Sequence, residues 1–297
     1  MLETHAPVPI LAGLGEIASR YDVLLCDVWG VVHNGREAFP DASAALSAFR
    51  RRGGVVTLLT NAPRPNAPIR EQVLKLGLAA DAFDTIVTSG DVAIAAVAER
   101  IAAPVHHIGA ERDLPLFEVA SARAGAPVRL VDLESADYVL CTGLFDDDVE
   151  TPADYEATLR RIAERGLPFL CANPDLVVHR GEKLVYCAGA LAERLKVLGG
   201  QTVYFGKPHA PIYAAALAAS EQALGRPLDP RRVLAVGDGM RTDIAGARAR
   251  GLDALFVSRG IHTGDVHEAE IDEPAALQAL FARENVWPTA AIQTLRP

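Results

Sequence analysis

The sequence predicts an α/β protein built on a doubly wound, parallel sheet. Short apolar or β-branched runs alternate along the chain with longer alanine-rich segments of helical period, several of which stop at glycine. Polar residues stand directly after several of the apolar runs, and in such sheets ligands gather at the carboxyl ends of the strands.

The elements follow in order. "DVLLC" at 22–26 reads as a buried strand that delivers Asp27 into a glycine-containing turn. "DASAALSAFRRRG" is the first long helical stretch, and its "FRRRGG" end reads as a solvated helix terminus whose positive charge suits the C-terminal dipole. "VVTLLT" at 55–60 is the next strand; Thr60 and Asn61 follow its apolar part, and "RPNAPIREQVLKLG" is helical. "TIVT", "YVLC", "LPFLC" and "TVYF" continue the strand series, with helices expected over "GDVAIAAVAERIA" and "TPADYEATLRRIAERG". "TVYFG" leads into Lys207 and Pro208, then "APIYAAALAASEQALG" is helical. "RVLAVG" delivers Asp238, with Asp243 five residues on, and "ALFV" closes the series. A helix candidate remains at each end, the C-terminal one being "EPAALQALFAREN".

Bulk properties narrow the function. The chain has 297 residues, enough for two domains, and is half apolar and 23% charged, as soluble globular proteins are. A net charge of -9 argues against a general nucleic-acid binder, which needs a basic face. The N-terminus lacks the charged and apolar regions of a signal peptide, and no run of membrane-spanning length occurs, so a cytoplasmic protein without a membrane partner is expected. Cys26, Cys141, Cys171 and Cys187 stand singly without metal-ligand spacing and read as reduced core thiols.

Each polar station alone has an ordinary explanation. An aspartate after a strand often caps a turn, a Thr-Asn pair can begin a loop, and Lys-Pro can mark a helix start. "GDGMRTD" lacks the third glycine of a dinucleotide motif. In this order, however, the set suits phosphoryl transfer. Neighbouring carboxylates repel unless a cation sits among them, and oxygen ligands suit Mg2+. Lysine and threonine can hold a phosphoryl group, and an aspartate can attack it.

These stations resemble the four motifs of the haloacid dehalogenase-like (HAD) superfamily, most of whose members are phosphatases. The resemblance covers roughly residues 21 to 265. It implies a magnesium-dependent phosphatase acting on a small phosphate monoester through an aspartyl-phosphate. Asp27 would be nucleophile and metal ligand, with the Trp29 carbonyl, Asp238 and Asp243 completing the metal set. Thr60, the amide of Asn61 and Lys207 would hold the phosphate.

The long interval from Asn61 to Lys207 leaves room for an inserted domain. "TIVTSG" resembles an exit hinge, "VHHIGAERDL" an early cap strand, and "FLCANPDLV" the Asn-Pro-Asp signature of type IIA members. These include 4-nitrophenyl phosphatases and pyridoxal-phosphate phosphatases. The implied architecture is a Rossmann-like HAD core, residues 1–89 and 189–297, with a type C2 α/β cap at 90–188. Asn173, Asp175, His179 and Arg180 fall where related caps reach the substrate, and cap-mediated homodimers occur among relatives.

The pattern departs from the family at Trp29, where the usual second aspartate protonates the leaving group. Tryptophan offers no acid, and general acid–base help is typically worth ~10²–10⁴ in rate. Three readings follow: a phosphatase with another proton donor, His33 being the candidate, or with good leaving groups; a dehalogenase-type hydrolase, which needs no metal and therefore fits Asp238 and Asp243 poorly; and a protein that binds a phosphate ester without turning it over. The adjacent His106 and His107 point to opposite faces if they lie in a strand, and "FDDDVETPADY" lacks the ligand period of a calcium loop. The natural substrate is open at this level.

Overall fold

The computed structural model describes residues 6–180, 183–260 and 273–297. Its strands are β1 (Ile10–Leu11), β2 (Val23–Asp27), β3 (Val55–Thr60), β4 (Thr85–Thr88), β5 (Val105–Ile108), β6 (Tyr138–Cys141) and β7 (Phe169–Cys171). They continue with β8 (Val177–Arg180), β9 (Lys183–Tyr186), β10 (Thr202–Tyr204), β11 (Val233–Gly237), β12 (Asp253–Val257) and β13 (Ala290–Ile292). Two compact units emerge. The first holds the described residues up to Leu59, Arg70–Val87, and those from Tyr213 onward; the second holds Thr60–Ile69 and the described residues of Thr88–Ile212.

The first unit carries a seven-stranded sheet in the order β1-β13-β12-β11-β2-β3-β4. From β2 the chain winds outward through β3 and β4 on one side. It then returns to β11 on the other side and winds outward again through β12 and β13. Right-handed crossovers in opposite directions put helices on opposite faces, and the place where the winding reverses, between β2 and β11, opens a crevice at the strands' carboxyl ends. Every residue of β2 and β11 is buried. Such unbroken apolar runs are what a parallel strand covered on both faces requires. The ladders set Cys26 beside Val236 and Asp27 beside Leu59. Asp27 and Asp238 therefore leave adjacent strands at the same edge.

The second unit is an α/β insertion with a four-stranded sheet, β10-β7-β6-β5, and an antiparallel β8–β9 hairpin. Alternate residues of β6 enter two apolar clusters. Val139 and Cys141 pack with Leu159, Ile162, Leu191 and Leu195 of the helices Glu156–Glu164 and Ala188–Val197. Tyr138 and Leu140 pack with Ile94, Val97, Leu116 and Phe117 of the helices Ser89–Glu99 and Pro115–Ala124. Both faces of this sheet are thereby covered.

The doubly wound fold is as expected, but three expectations change. "TVYF" does not return to the first sheet: Thr202–Tyr204 pairs in register with Phe169–Cys171 of β7. The second unit accordingly extends past residue 188, to Ile212, because a strand's apolar pattern does not specify which sheet it joins. The N-terminal segment forms only the single turn Gly15–Ala18 and the short strand β1, which pairs with β13. The "FRRRGG" helix end is solvated at Arg51 and Arg52, as expected, while Arg50 donates to both carboxylate oxygens of Asp84, at 2.8 and 2.6 Å. No helix among the described residues is long and apolar enough to cross a membrane.

Candidate active site

The turn after β2 is built by its own backbone. Gly30 adopts φ +81° and donates its N–H to the His33 carbonyl at 2.9 Å, while Val32 donates to Val28 at 2.9 Å. Val28, Val31 and Val32 are buried and anchor the turn in the core. Asp27, at the end of β2, is buried as well.

Three carboxylates converge here. Asp27, Asp238 and Asp243 are all buried, and each offers an oxygen within 4.8 Å of the others'. A Cβ on Gly30 or on Gly260 would overlap the Asp238 side chain, and one on Gly237 would overlap Asp243. The glycines thus form the cradle in which these acids sit. The Asp243 turn, Met240–Ile244, is fixed from two sides. Its carboxylate accepts the Gly239 N–H at 3.1 Å, and the Tyr213 hydroxyl donates to its carbonyl at 3.1 Å. Three buried carboxylates converging in this way form the ligand chemistry of a hard divalent cation, and the residues fit such an ion.

Trp29 leaves this buried neighbourhood and is 40% exposed. Its indole meets His33 edge-on, with ring centroids 5.3 Å apart at 81°, and a Cβ on Gly35 would overlap its ring. His33, the candidate proton donor, is buried, and its Nδ1 accepts the Gly35 N–H at 3.0 Å. Burial also lowers its pKa. The ring thus staples the turn.

The remaining stations belong to the second unit. Thr60 Oγ1 accepts the Ala62 N–H at 3.2 Å. The Asn61 side chain is committed to the protein: Oδ1 accepts the Lys207 N–H at 2.7 Å, and Nδ2 donates to Asp175 at 2.9 Å and to the Lys207 carbonyl at 3.2 Å. Asn173 accepts the Asp175 N–H at 3.1 Å, closing the Asn-Pro-Asp turn. Gly206 allows this approach, since a Cβ there would overlap Asn61 and Pro174. Lys207 is buried. Asn61, Asn173, Asp175 and Lys207 are thus brought together. The backbone of His179 pairs with Leu184 across the hairpin, while the side chains of His179 and Arg180 lie outside the described residues.

Residues set aside in the sequence have local roles. His106 contacts the Val131 carbonyl and His107 the Thr142 hydroxyl, each at 3.0 Å, so the two rings have different partners. Asp146 accepts the Asp148 N–H at 3.0 Å, and a Thr151–Asp154 capping box starts the following helix. The four cysteines form no disulfide and are buried. Tyr213 and the cradle glycines 30, 237 and 260 were not legible as site residues. Only the glycines left a signal, as turn residues flanking the acids.

Comparison with known proteins follows the same lines. Residues 24–121 match the family described as haloacid dehalogenase-like hydrolase, and residues 204–280 match one described as HAD-hydrolase-like. A crystal structure of a haloacid dehalogenase-like hydrolase from Brucella suis 1330 is 43% identical, covers 96% of this chain and 100% of that one, and superposes with a TM-score of 0.83. The chain belongs to the haloacid dehalogenase-like hydrolases.

Within that family it is similar to a D-glycerol 3-phosphate phosphatase of Mycobacterium tuberculosis, 31% identical over 250 residues, 83% of this chain and 65% of that protein. It is also similar to the ribonucleotide monophosphatase NagD of Escherichia coli K12, 26% identical over 246 residues, covering 82% of this chain and 89% of that one. The chain therefore spans less than two thirds of the first of these relatives. Asp27, Trp29, Thr60 and Asn61 lie inside the first matched segment, and Lys207, Asp238 and Asp243 inside the second. Asn173 and His179 fall between the two.

Proposed function

We propose that the protein is a magnesium-dependent phosphatase that hydrolyses a small phosphate monoester through an aspartyl-phosphate on Asp27. The observation that carries this reading is the buried set Asp27, Asp238 and Asp243, with oxygens within 4.8 Å of one another. Phosphatases among the similar proteins support it, and buried cysteines that form no disulfide suit a reducing, cytoplasmic setting.

In this reading the Asp27 carboxylate attacks phosphorus, and the ester oxygen leaves with its bonding electrons. Water then attacks the phosphorus of the aspartyl-phosphate and restores the carboxylate. Asp27, Asp238, Asp243 and the Trp29 carbonyl would hold Mg2+, which when bound neutralises the charge gathered at the phosphate. Lys207 and the Thr60 hydroxyl hold phosphate oxygens. Because the Asn61 side chain is committed to Lys207 and Asp175, Asn61 contributes its main-chain N–H, and its amide sets the lysine's backbone. Asn173 shapes the neighbouring turn, and His179 is a candidate for substrate choice. His33, engaged with Gly35 and Trp29, positions the turn rather than donating a proton.

A second reading, a binder that holds the ester without turnover, is favoured by Trp29, which the resemblance sets where the usual acid stands. The dehalogenase reading has no use for Asp238 and Asp243. Release of phosphate from 4-nitrophenyl phosphate, with Mg2+ and with chelator, tests the proposal in the natural protein and in Asp27→Asn. Metal-dependent turnover that the variant loses is expected. Absence of turnover in the natural protein with Mg2+ would move the assignment to the binder.

A further inference from the structure

We infer that the indole of Trp29 is a stacking platform for the leaving group, and that the substrate class is an aryl or heteroaryl phosphate monoester. This rests on the phosphatase reading above and narrows it.

The first observation is how the ring is held. Single exposed aromatics are common and need no explanation. This one is 40% exposed within a turn whose valines 28, 31 and 32 are buried. It is pinned at the same time, because His33 meets it edge-on and Gly35, at φ +84°, leaves the space its ring occupies. His33 is fixed in turn, since its ring accepts the Gly35 N–H and its carbonyl accepts the Gly30 N–H. Two left-handed glycines and a buried histidine thus hold one exposed indole two residues from Asp27. A ring ordered before binding loses little freedom when a second ring stacks on it.

The second observation is chemical. By the resemblance drawn from the sequence, Trp29 stands where the family's acid protonates the leaving oxygen, and its side chain has no acidic proton. The leaving group must then depart as a stabilised oxyanion. An aromatic ring attached to that oxygen delocalises the charge and is also the flat partner that an indole accepts. One substitution meets both demands with one substrate class. The balance is complete. As the Asp27 oxygen bonds to phosphorus, the phosphorus–aryloxide bond breaks and its electron pair stays on the aryl oxygen. Water cleaves the aspartyl-phosphate, and its proton ends on the aryloxide or in solvent, giving phenol and inorganic phosphate.

The test separates the platform from catalysis. The sequence has two tryptophans, so Trp287→Phe leaves Trp29 as the sole indole emitter. Phenylphosphonate and cyclohexylphosphonate, which are not hydrolysed, are titrated in the presence of Mg2+ while Trp29 emission is followed. The planar probe should bind about 3- to 10-fold more tightly, the range of an aromatic pair, and quench the emission. Trp29→Leu, followed by the competition of each probe with phosphate, should erase the difference, and Trp29→Phe should keep it. Equal affinities for the two probes, or a planar preference that survives in a folded Trp29→Leu protein, overturns the platform. In a parallel arm, phenyl phosphates should be cleaved with a steep dependence on leaving-group acidity, which Trp29→Asp should flatten. A planar preference without turnover of any aryl phosphate supports the platform and overturns the phosphatase reading.

Discussion

The buried carboxylates make Asp238→Asn an informative perturbation. Asp27, Asp238 and Asp243 each present an oxygen within 4.8 Å of the others. Two like charges at that distance repel by about 3 kcal/mol at an effective dielectric of ~20, which a cation among them offsets. Asparagine keeps the shape of Asp238 while removing its charge and so weakens the hold on that cation. Mg2+ at ~100 times its Kd should stabilise the natural protein by about 2.7 kcal/mol, roughly 5–10 °C in Tm for a chain of this size, and the variant by much less. Thermal unfolding followed by circular dichroism, in chelator and in millimolar Mg2+, measures all four values. A natural protein indifferent to Mg2+, or a variant that gains as much from it, would refute the metal-site reasoning.

Two further outcomes are expected. Asn61→Ala removes the acceptor of the Lys207 N–H and both amide donations; about 1–3 kcal/mol of stability should be lost for the unsatisfied buried donor, with a rise in KM for phosphate esters, and unchanged kinetics would count against the assigned role. Burial first, and the charge of His106 second, push the His107 pKa down to about 4 from an ordinary 6.5. Above pH 6.5 both states are neutral. As pH falls from there toward 4 the unfolded chain takes the proton first, so roughly 3 kcal/mol of stability is lost over that window. His107→Gln should flatten this acid limb in urea titrations between pH 7.5 and 4.5, and an identical slope would exclude the histidine as its source.

The strands of the first sheet were legible because burial on both faces demands unbroken apolar runs, as in β2 and β11. β1 and β13 were not, being two and three residues long. The sheet that "TVYF" joins was illegible for a different reason: apolar pattern encodes burial and not partner, and the pairing with β7 is made across distant sequence. The acids were readable by their place after strands, since strand ends fix where a side chain emerges. What Asn61 does with its amide was not. That role depends on Lys207 and Asp175, more than a hundred residues away. The burial of the His33 ring was illegible for a related reason, because its place in a turn gave no sign that the ring folds inward.

Asn61 also sets the terms on which this chain can be recombined. Its single amide grips the main chain at Lys207 with one end and the Asn-Pro-Asp turn at Asp175 with the other. A chimera that imports a foreign segment around residues 173–175 imports half of a clasp, and the native Asn61 would be left donating to whatever now stands at 175. Residues 61, 175 and 207 should thus be exchanged together or not at all, and libraries that shuffle the insertion should place their crossovers so that these three come from one parent.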